Sequence, residues 1–151
     1  MIERDLIEAY YYAIEQKEPT SVMDVGLFMQ KIGMISRDFA DYFIPDNVPL
    51  YGLDFEGKEY FPLYEKFYDK IFDFNEPDKV DITPELALFV NIKEFRGKYE
   101  PSRLYGWLKE HCDYLFTEYI SEEQLDFLKK FGKTNPITIE GNGFVTVDMR
   151  D

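Results

Sequence analysis

Apolar residues recur at intervals of three and four in several stretches of the chain, and this spacing predicts amphipathic helices. The first helix begins near Ile2 and ends at Lys17, before Pro19. A second helix opens at Ser21 and is bent or ended by Gly33. Further helices are predicted over 63–74, from Thr83 onward, over 102–119 and over 121–132. Most of the chain is therefore predicted to be helical.

Residues typical of helix termini mark two of these boundaries. Ser121, with Gln124 three residues later, forms a capping box for the last helix. Thr83 precedes Pro84, which suits the first position of a helix. The β-branched residues at 90–92 also suit a strand, so this helix has an alternative.

The C-terminal segment changes to an alternation of apolar and polar residues, which is typical of a β-hairpin. Strands over 137–140 and 144–148 are predicted, joined by the loop Gly141 to Gly143. This register places Ile139 opposite Val145 and Ile137 opposite Val147, with all four buried and Gly143 in a left-handed conformation.

A second short hairpin is possible over 51–61, turning at Glu56 and Gly57. The chain carries no repeat and no Ser/Gly-rich linker, so residues 1–151 are predicted to form one acidic domain. The predicted fold class is α+β: a mostly helical single domain with a C-terminal antiparallel β-hairpin.

Charge and composition narrow the possible partners. The formal net charge is −13, from 30 acidic and 17 basic residues, and aromatic residues make up 18% of the chain. Such a negative field disfavours direct binding to nucleic acid or an anionic membrane, and it would attract a basic protein. Solubility alone explains the charge equally well. A single cysteine and the lack of a long apolar run favour a cytoplasmic location.

The only histidine and the only cysteine, His111 and Cys112, are adjacent in the predicted 102–119 helix. Neighbours on a helix point about 100° apart, so the two cannot act as nucleophile and base, and Cys112 is interpreted as a small buried core residue. No zinc ligand set is available. A calcium loop starting at Asp73 would need Gly and Glu where the chain has Asp78 and Pro84. No catalytic residue, metal site or cofactor is therefore predicted.

Acidic residues at a spacing of four would form a ridge on the predicted 63–74 helix and continue into the following loop. This ridge is interpreted either as a solvated face or as a docking surface for a basic partner. The first helix also carries three consecutive tyrosines, of which at least one must face outward. The predicted partner-binding residues are Glu65, Asp69, Asp73, Glu76, Asp78, Asp81 and Tyr11.

The sequence thus predicts a non-catalytic acidic protein that binds and neutralises a basic macromolecular partner, such as a toxin or a host nucleic-acid-binding protein. Toxin-immunity proteins and phage-encoded inhibitors are of this type. One alternative is a small hydrolase or transferase that uses carboxylates only. Another is a helix-turn-helix-like regulator over 21–43, although its second helix is acidic and carries only Arg37.

Overall fold

Seven strands and three helices are present in the computed structural model, which describes residues 3–28, 44–45, 47–55, 67–95 and 97–150. The helices of that described part are α1 (Glu3–Lys17), α2 (Pro101–His111) and α3 (Glu122–Leu128). The strands are β1 (Val22–Val25), β2 (Leu50–Asp54), β3 (Lys70–Asp73), β4 (Leu86–Phe89), β5 (Tyr114–Tyr119), β6 (Lys133–Ile139) and β7 (Asn142–Asp148). Short 3₁₀ turns cover Pro77–Lys79 and Ile92–Phe95.

All seven strands belong to one sheet, in the order β3-β2-β1-β4-β5-β7-β6. The neighbouring pairs among β1 to β5 are parallel, whereas β7 is antiparallel to both β5 and β6. Consecutive parallel strands need a crossover connection, so the first five strands define an α/β architecture. The C-terminal hairpin then completes one edge of that sheet.

The sheet separates two hydrophobic clusters. In β4 and the residue after it, Leu86, Leu88 and Val90 belong to the cluster that includes α1, whereas Ala87 and Phe89 belong to the cluster that includes α2 and α3. Successive side chains of a strand point to opposite faces, so a central strand covered on both sides needs apolar residues at every position. This requirement explains why the residues of β4, together with Val90, form one uninterrupted apolar run in the sequence.

The prediction of a mostly helical α+β domain is wrong, because the centre of the protein is a seven-stranded mixed sheet. Three stretches predicted to be helical contain parallel strands: β1 lies in the helix predicted from Ser21, β3 in 63–74 and β4 in the helix from Thr83. The helix predicted over 102–119 is α2 followed by β5, with the chain extended at Cys112 (φ −141°, ψ 158°). Short apolar runs fit both periods, and the tertiary environment selected the strand.

Several local predictions are confirmed. The helix α1 ends at Lys17, as predicted. The Ser121 Oγ accepts a hydrogen bond from the Gln124 backbone N–H at 3.1 Å, and the Gln124 side chain accepts one from the Ile120 N–H at 2.8 Å. This exchange satisfies N–H groups at the start of α3, as the capping-box pattern indicated.

The C-terminal segment does form an antiparallel hairpin, but its predicted register is wrong. Ile139 pairs with Asn142 and Ile137 pairs with Phe144, so the loop consists of Glu140 and Gly141 alone. Positive φ occurs at those two residues, 51° and 80°, rather than at Gly143. Both isoleucines are only half-buried, because β6 is the edge strand of the sheet.

The hairpin proposed over 51–61 is also contradicted in its first half. Both edges of β2 are occupied, since Leu53 lies in register with Val25 on one side and Phe72 on the other. The turn at Glu56 and Gly57 and the returning half of that hairpin lie outside the described residues.

No helix in the described part of the chain is long and apolar enough to cross a membrane.

Candidate functional site at the carboxyl edge of the sheet

The strand order reverses at β1, which has β2 on one side and β4 on the other. In open α/β sheets, ligands bind outside the carboxyl ends of the strands at such a reversal, because the connections leave in opposite directions and open a crevice. The crevice here lies between the turn that follows β1 and the turn that follows β4. These two turns therefore define the candidate site.

The turn after β1 has an unusual backbone. Gly26 has φ of 85° and Leu27 has φ of 56°. The Gly26 N–H donates to the Leu53 carbonyl at 2.7 Å, which links the turn to β2. A non-glycine residue at positive φ costs roughly 1–3 kcal/mol and persists only where the surroundings enforce it. Such strain at the reversal of the sheet points to a functional turn.

Asp24, next to last in β1, holds this turn in place. Its side chain is buried; Oδ1 accepts from the Phe28 N–H at 3.1 Å and Oδ2 accepts from the Tyr68 hydroxyl at 2.6 Å. Asp24 thus fixes both the turn and the segment that leads into β3.

Two further carboxylates end the next two strands. Asp54 is the last residue of β2 and Asp73 the last residue of β3, and the two lie in register on neighbouring parallel strands. The Asp54 side chain is buried, whereas Asp73 is half-buried and accepts from the Asn75 N–H at 2.8 Å. A carboxylate that ends the strand beside a glycine turn is where dinucleotide-binding folds bind a ribose hydroxyl.

Aromatic rings fill the crevice on the face covered by α2. The Phe55 ring lies 5.3 Å from the Phe95 ring and 5.6 Å from the Phe74 ring, and it stacks on Tyr99 at 5.5 Å. Phe95 also covers the glycine turn, since a Cβ built on Gly26 would stand 2.6 Å from its Cε2. The aromatic cluster therefore closes over the turn that follows β1.

A cleft of about 500 Å³ opens beside this cluster. It is bounded by the turn after β4, by the first turn of α2 and its preceding loop, and by the first turn of α3. Tyr99 contributes to both places, since it lines the cleft and stacks on Phe55. The cleft and the crevice are thus neighbours that share one aromatic wall.

Glu118 is a buried carboxylate near the carboxyl end of β5. Its Oε1 has no hydrogen-bond partner among the described residues. Burial raises the pKa of Glu118, while the nearby Lys93 and a hydrogen bond with the Ile92 backbone oppose that rise. The side chain therefore takes up protons more readily than an exposed glutamate.

The acidic ridge predicted on a helix is not formed as such. Asp69 immediately precedes β3 and Asp73 is its last residue, so their spacing of four does not align them on one helical face. Asp69 Oδ2 accepts from the Leu50 N–H at 2.7 Å, which gives this carboxylate a structural role. Glu65 lies outside the described residues.

The remaining acidic residues of that set lie in the β3–β4 connection. Glu76 pairs with Lys79 at 2.7 Å, and Asp81 pairs with Lys70 at 3.5 Å near the amino edge of the sheet. Asp78 is exposed. None of these three ends a strand at the carboxyl edge, and their binding role stays a prediction.

Tyr11 and the His111–Cys112 pair lie away from the crevice. Tyr11 is 46% exposed on α1, and its binding role also stays a prediction. Cys112 is buried, as predicted, and its Sγ donates to the Leu108 carbonyl at 3.1 Å. The His111 ring stacks on Trp107 at 4.2 Å, and its Nδ1 lies 2.8 Å from the Trp107 carbonyl oxygen.

No protein family matches the sequence, and no curated protein does so either. Solved structures do match the fold. A SAM-dependent methyltransferase from Aquifex aeolicus superposes with a TM-score of 0.66 at 14% identity, over 95% of this chain and 90% of that one. The chain has the fold of S-adenosylmethionine (SAM)-dependent methyltransferases.

Two further methyltransferase structures are similar. Magnesium protoporphyrin IX methyltransferase from Synechocystis PCC 6803, with bound SAM, gives a TM-score of 0.59 at 12% identity, over 97% of this chain and 79% of that one. An rRNA methylase from Escherichia coli gives 0.60 at 12% identity, over 96% of this chain. The chain spans 63% of that rRNA methylase and 62% of the 16S rRNA methylase RmtB.

This fold corrects the functional predictions. A non-catalytic immunity protein or inhibitor that neutralises a basic partner is contradicted by the consistent likeness to methyltransferase structures. The carboxylate-only enzyme and the helix-turn-helix regulator do not fit this likeness either. Asp24, Gly26 and Asp54 were not among the predicted site residues, although each acid follows a short apolar run, as in a buried parallel strand.

Proposed function

We propose that this chain is a methyltransferase that binds SAM at the carboxyl edge of the sheet. The observation that carries the proposal is the position of Asp54, which ends β2 beside the glycine turn after β1. In nucleotide-binding folds with this arrangement, the acid binds the ribose and the glycine lets the ligand approach the backbone. The likeness to methyltransferase structures, one of them with bound SAM, selects SAM over a dinucleotide.

The described residues fit the adenosine half of SAM. The Asp54 carboxylate would accept hydrogen bonds from the ribose hydroxyls, and the rings of Phe55 and Phe74 offer apolar surface to a flat base. Gly26 presents backbone without a side chain. SAM would supply an electrophilic methyl group on a sulfonium sulfur.

One departure from the usual glycine pattern affects how this site opens. A G-x-G turn would have a second glycine two residues after Gly26, where this chain has the fully buried Phe28. The ring of Phe95 also stands over Gly26. We infer that Phe95 moves aside when the cofactor binds, and that the affinity is reduced by the free energy of that movement.

The methyl acceptor is inferred to be a small molecule. A nucleophilic atom of the acceptor would attack the methyl carbon, the carbon–sulfur bond would break, and the acceptor would lose a proton where it carries one. A net charge of −13 opposes binding of RNA, although some of the similar structures are rRNA methylases. We also propose that the protein is located in the cytoplasm.

Isothermal titration of the purified chain with SAM and with S-adenosylhomocysteine tests the cofactor site. We expect both to bind, and Asp54→Asn to weaken them by roughly 10–100-fold, which corresponds to losing about 1.5–3 kcal/mol from hydrogen bonds to a charged group. Asp81→Asn is the matched control, because Asp81 is exposed near the opposite edge of the sheet. A circular-dichroism melt of each variant checks that it is folded.

Two outcomes would count against the cofactor site. Folded wild-type protein that binds neither nucleoside would remove the proposed function. Binding that Asp54→Asn leaves unchanged would remove Asp54 from the site and place the cofactor elsewhere.

A further inference from the structure

The cleft beside the crevice combines an aromatic wall with a polar mouth. Tyr99, Tyr105 and Phe127 contribute rings to it, and Ile92 and Ile120 add aliphatic surface. Ile120 is 49% exposed, which is unusual for a large aliphatic residue among the described positions. A concave apolar site of this size with a few polar groups is typical of a small-molecule pocket.

Among the described residues that line the cleft, Tyr105 carries a buried hydroxyl. Tyr105 is 1% exposed, and its hydroxyl has no partner in hydrogen-bonding geometry among the described residues. The side chains of Tyr99, Thr117 and Gln124 are near enough to influence the pKa of this hydroxyl through hydrogen bonding, but none of them completes a hydrogen bond to it in this structure. Burial raises the pKa of Tyr105, so the hydroxyl stays protonated and can donate. A buried donor without a partner is costly, which favours a ligand that accepts this hydrogen bond.

The charges at the mouth disfavour an anionic ligand. The Glu100 carboxylate accepts from the N–H groups of Ser102 and Arg103 at 3.1 and 2.8 Å, which satisfies donors at the start of α2. Glu123 adds a second carboxylate, and Lys93 is the one base among the described residues that line the cleft. With two acids against one base among these described residues, in a chain of net charge −13, the overall field disfavours an anion.

Tyr99 connects the cleft to the proposed cofactor site. Its ring lines the cleft and stacks on Phe55, the residue that follows Asp54. A flat molecule in the cleft would thus be separated by the Tyr99 ring from Phe55, the residue that follows the β2 carboxylate. This arrangement suits a second substrate beside the cofactor.

We propose that this cleft binds the methyl acceptor, and that the acceptor is a small flat aromatic molecule, neutral or cationic, with one polar atom hydrogen-bonded to the Tyr105 hydroxyl. Aromatic walls favour stacking and also attract a cation over their faces. The acceptor role rests on the proposed function, whereas the binding of an aromatic molecule does not.

The test titrates ¹⁵N-labelled protein with indole, tyramine and benzoate, which are neutral, cationic and anionic ring compounds. We expect indole and tyramine to shift the amide signals of Ser102, Tyr105, Ile120 and Gln124, and benzoate at the same concentration to leave them in place. A benzoate response as strong as that of indole would overturn the assigned ligand class.

Two variants locate the binding. Tyr105→Phe should weaken tyramine, whose phenol oxygen can accept from the Tyr105 hydroxyl, roughly threefold to tenfold, the effect of one lost hydrogen bond. Ser102→Trp, at an exposed rim position, should fill the cleft and weaken indole more than tenfold while SAM binding is retained. Tyr114→Phe, at the amino end of β5, is the control and should change neither affinity. Unchanged indole binding in Ser102→Trp would overturn the site.

A competition titration separates this inference from the proposed function. Indole and SAM should bind together, because the cleft and the crevice share only a wall. Displacement of indole by SAM would show that the cleft belongs to the cofactor and would overturn the acceptor role. Indole binding without any SAM binding would leave the cleft in place and remove the proposed function. SAM binding without indole or tyramine binding would exclude the cleft as a binding site for an aromatic molecule.

Discussion

Phe95 and Gly26 are in contact across the point where the strand order reverses. Gly26 has φ of 85°, and a Cβ added there would stand 2.6 Å from Cε2 of the Phe95 ring. Side chains disfavour this backbone conformation, and real Cβ atoms do not approach other atoms so closely. Glycine is therefore required at this position both by its backbone and by its neighbour.

We expect Gly26→Ala to destabilise the protein by roughly 2–4 kcal/mol, as the sum of a positive-φ cost and an overpacking cost. Gly141→Ala is the matched control, because Gly141 has φ of 80° and nothing within 4 Å of its Cβ position. The control should lose only about 1–2 kcal/mol. Urea unfolding of the two variants measures the difference. Equal losses in the free energy of unfolding would show that the Phe95 ring can move away from the new methyl group at no cost.

A second substitution tests the same contact from the other side. Phe95→Leu in the Gly26→Ala background should restore part of the lost stability, because the shorter side chain leaves room for the new methyl group. In the wild-type background, Phe95→Leu should destabilise by roughly 1–2 kcal/mol and tighten SAM binding, since less of the cluster must move. Weaker SAM binding in Phe95→Leu would make that ring part of the cofactor site rather than its cover.

Local signals in the sequence predicted some elements well. Ser121 and Gln124 identified the start of α3, and the apolar spacing that ends at Lys17 identified α1. These elements are defined by contacts within one turn of helix, which the sequence displays directly. The C-terminal hairpin was visible for a similar reason, although its register depended on positive φ at Glu140, which the sequence does not mark.

The parallel strands could not be predicted from apolar spacing alone. Each of β1, β3 and β4 has only four residues, and a run that short contains apolar residues at helical and extended spacings alike. Their identity as strands comes from pairing with strands far along the chain; Val25 of β1 and Phe72 of β3, for example, both lie in register with Leu53 of β2. The site was missed for the same reason, because Asp24 and Asp54 become neighbours of the crevice only once the sheet is assembled.

Glu118 should make stability depend on pH. Burial raises the pKa of Glu118 in the folded state above its unfolded-state pKa of about 4.3. The contribution of Glu118 to the free energy of unfolding is therefore fully present below the unfolded-state pKa and is lost as pH rises through the folded-state pKa. Glu118→Gln resembles the protonated form and should be more stable than wild type at pH 8, with a gap that shrinks toward pH 4.

Urea midpoints of wild type and Glu118→Gln at several pH values between 4 and 8 measure this gap. Glu123→Gln is the control, because Glu123 is exposed at the start of α3, so its substitution relieves no burial and should not stabilise the protein at pH 8. If the stability gap between Glu118→Gln and wild type grew toward pH 4, the pKa of Glu118 would be lowered in the folded state rather than raised. That result would exclude burial as the dominant influence on this carboxyl.

Cys112 should be unreactive while the protein is folded. Burial, with a contribution from the neighbouring Asp113, raises the pKa of Cys112 to about 12, and only the thiolate attacks thiol reagents. We expect reaction with dithionitrobenzoate at neutral pH to follow unfolding and to become fast in urea. Cys112→Ala should cost roughly 1 kcal/mol through a small cavity. Rapid labelling of the native state would contradict the buried environment.

The turn of the C-terminal hairpin offers a stabilising substitution. Glu140 and Gly141 connect β6 to β7, both with positive φ, as a type I′ turn requires. Glutamate is poorly suited to this conformation, whereas asparagine tolerates it, and the Asn-Gly pair is strongly preferred there. Glu140→Asn should therefore raise the free energy of unfolding by roughly 0.5–1 kcal/mol.

Glu110→Asn is the matched control for this substitution, because Glu110 is also exposed but lies in α2. Asparagine has a lower helix propensity than glutamate, so the control should be slightly destabilised, by a few tenths of a kcal/mol. Thermal and urea unfolding of the two variants measure both effects. The hydrogen bond from the Asn142 side chain to the Glu140 carbonyl, 3.1 Å long, involves only backbone at position 140 and should survive the change. If Glu140→Asn were neutral or destabilising, the left-handed conformation at position 140 would not be the source of strain in this turn.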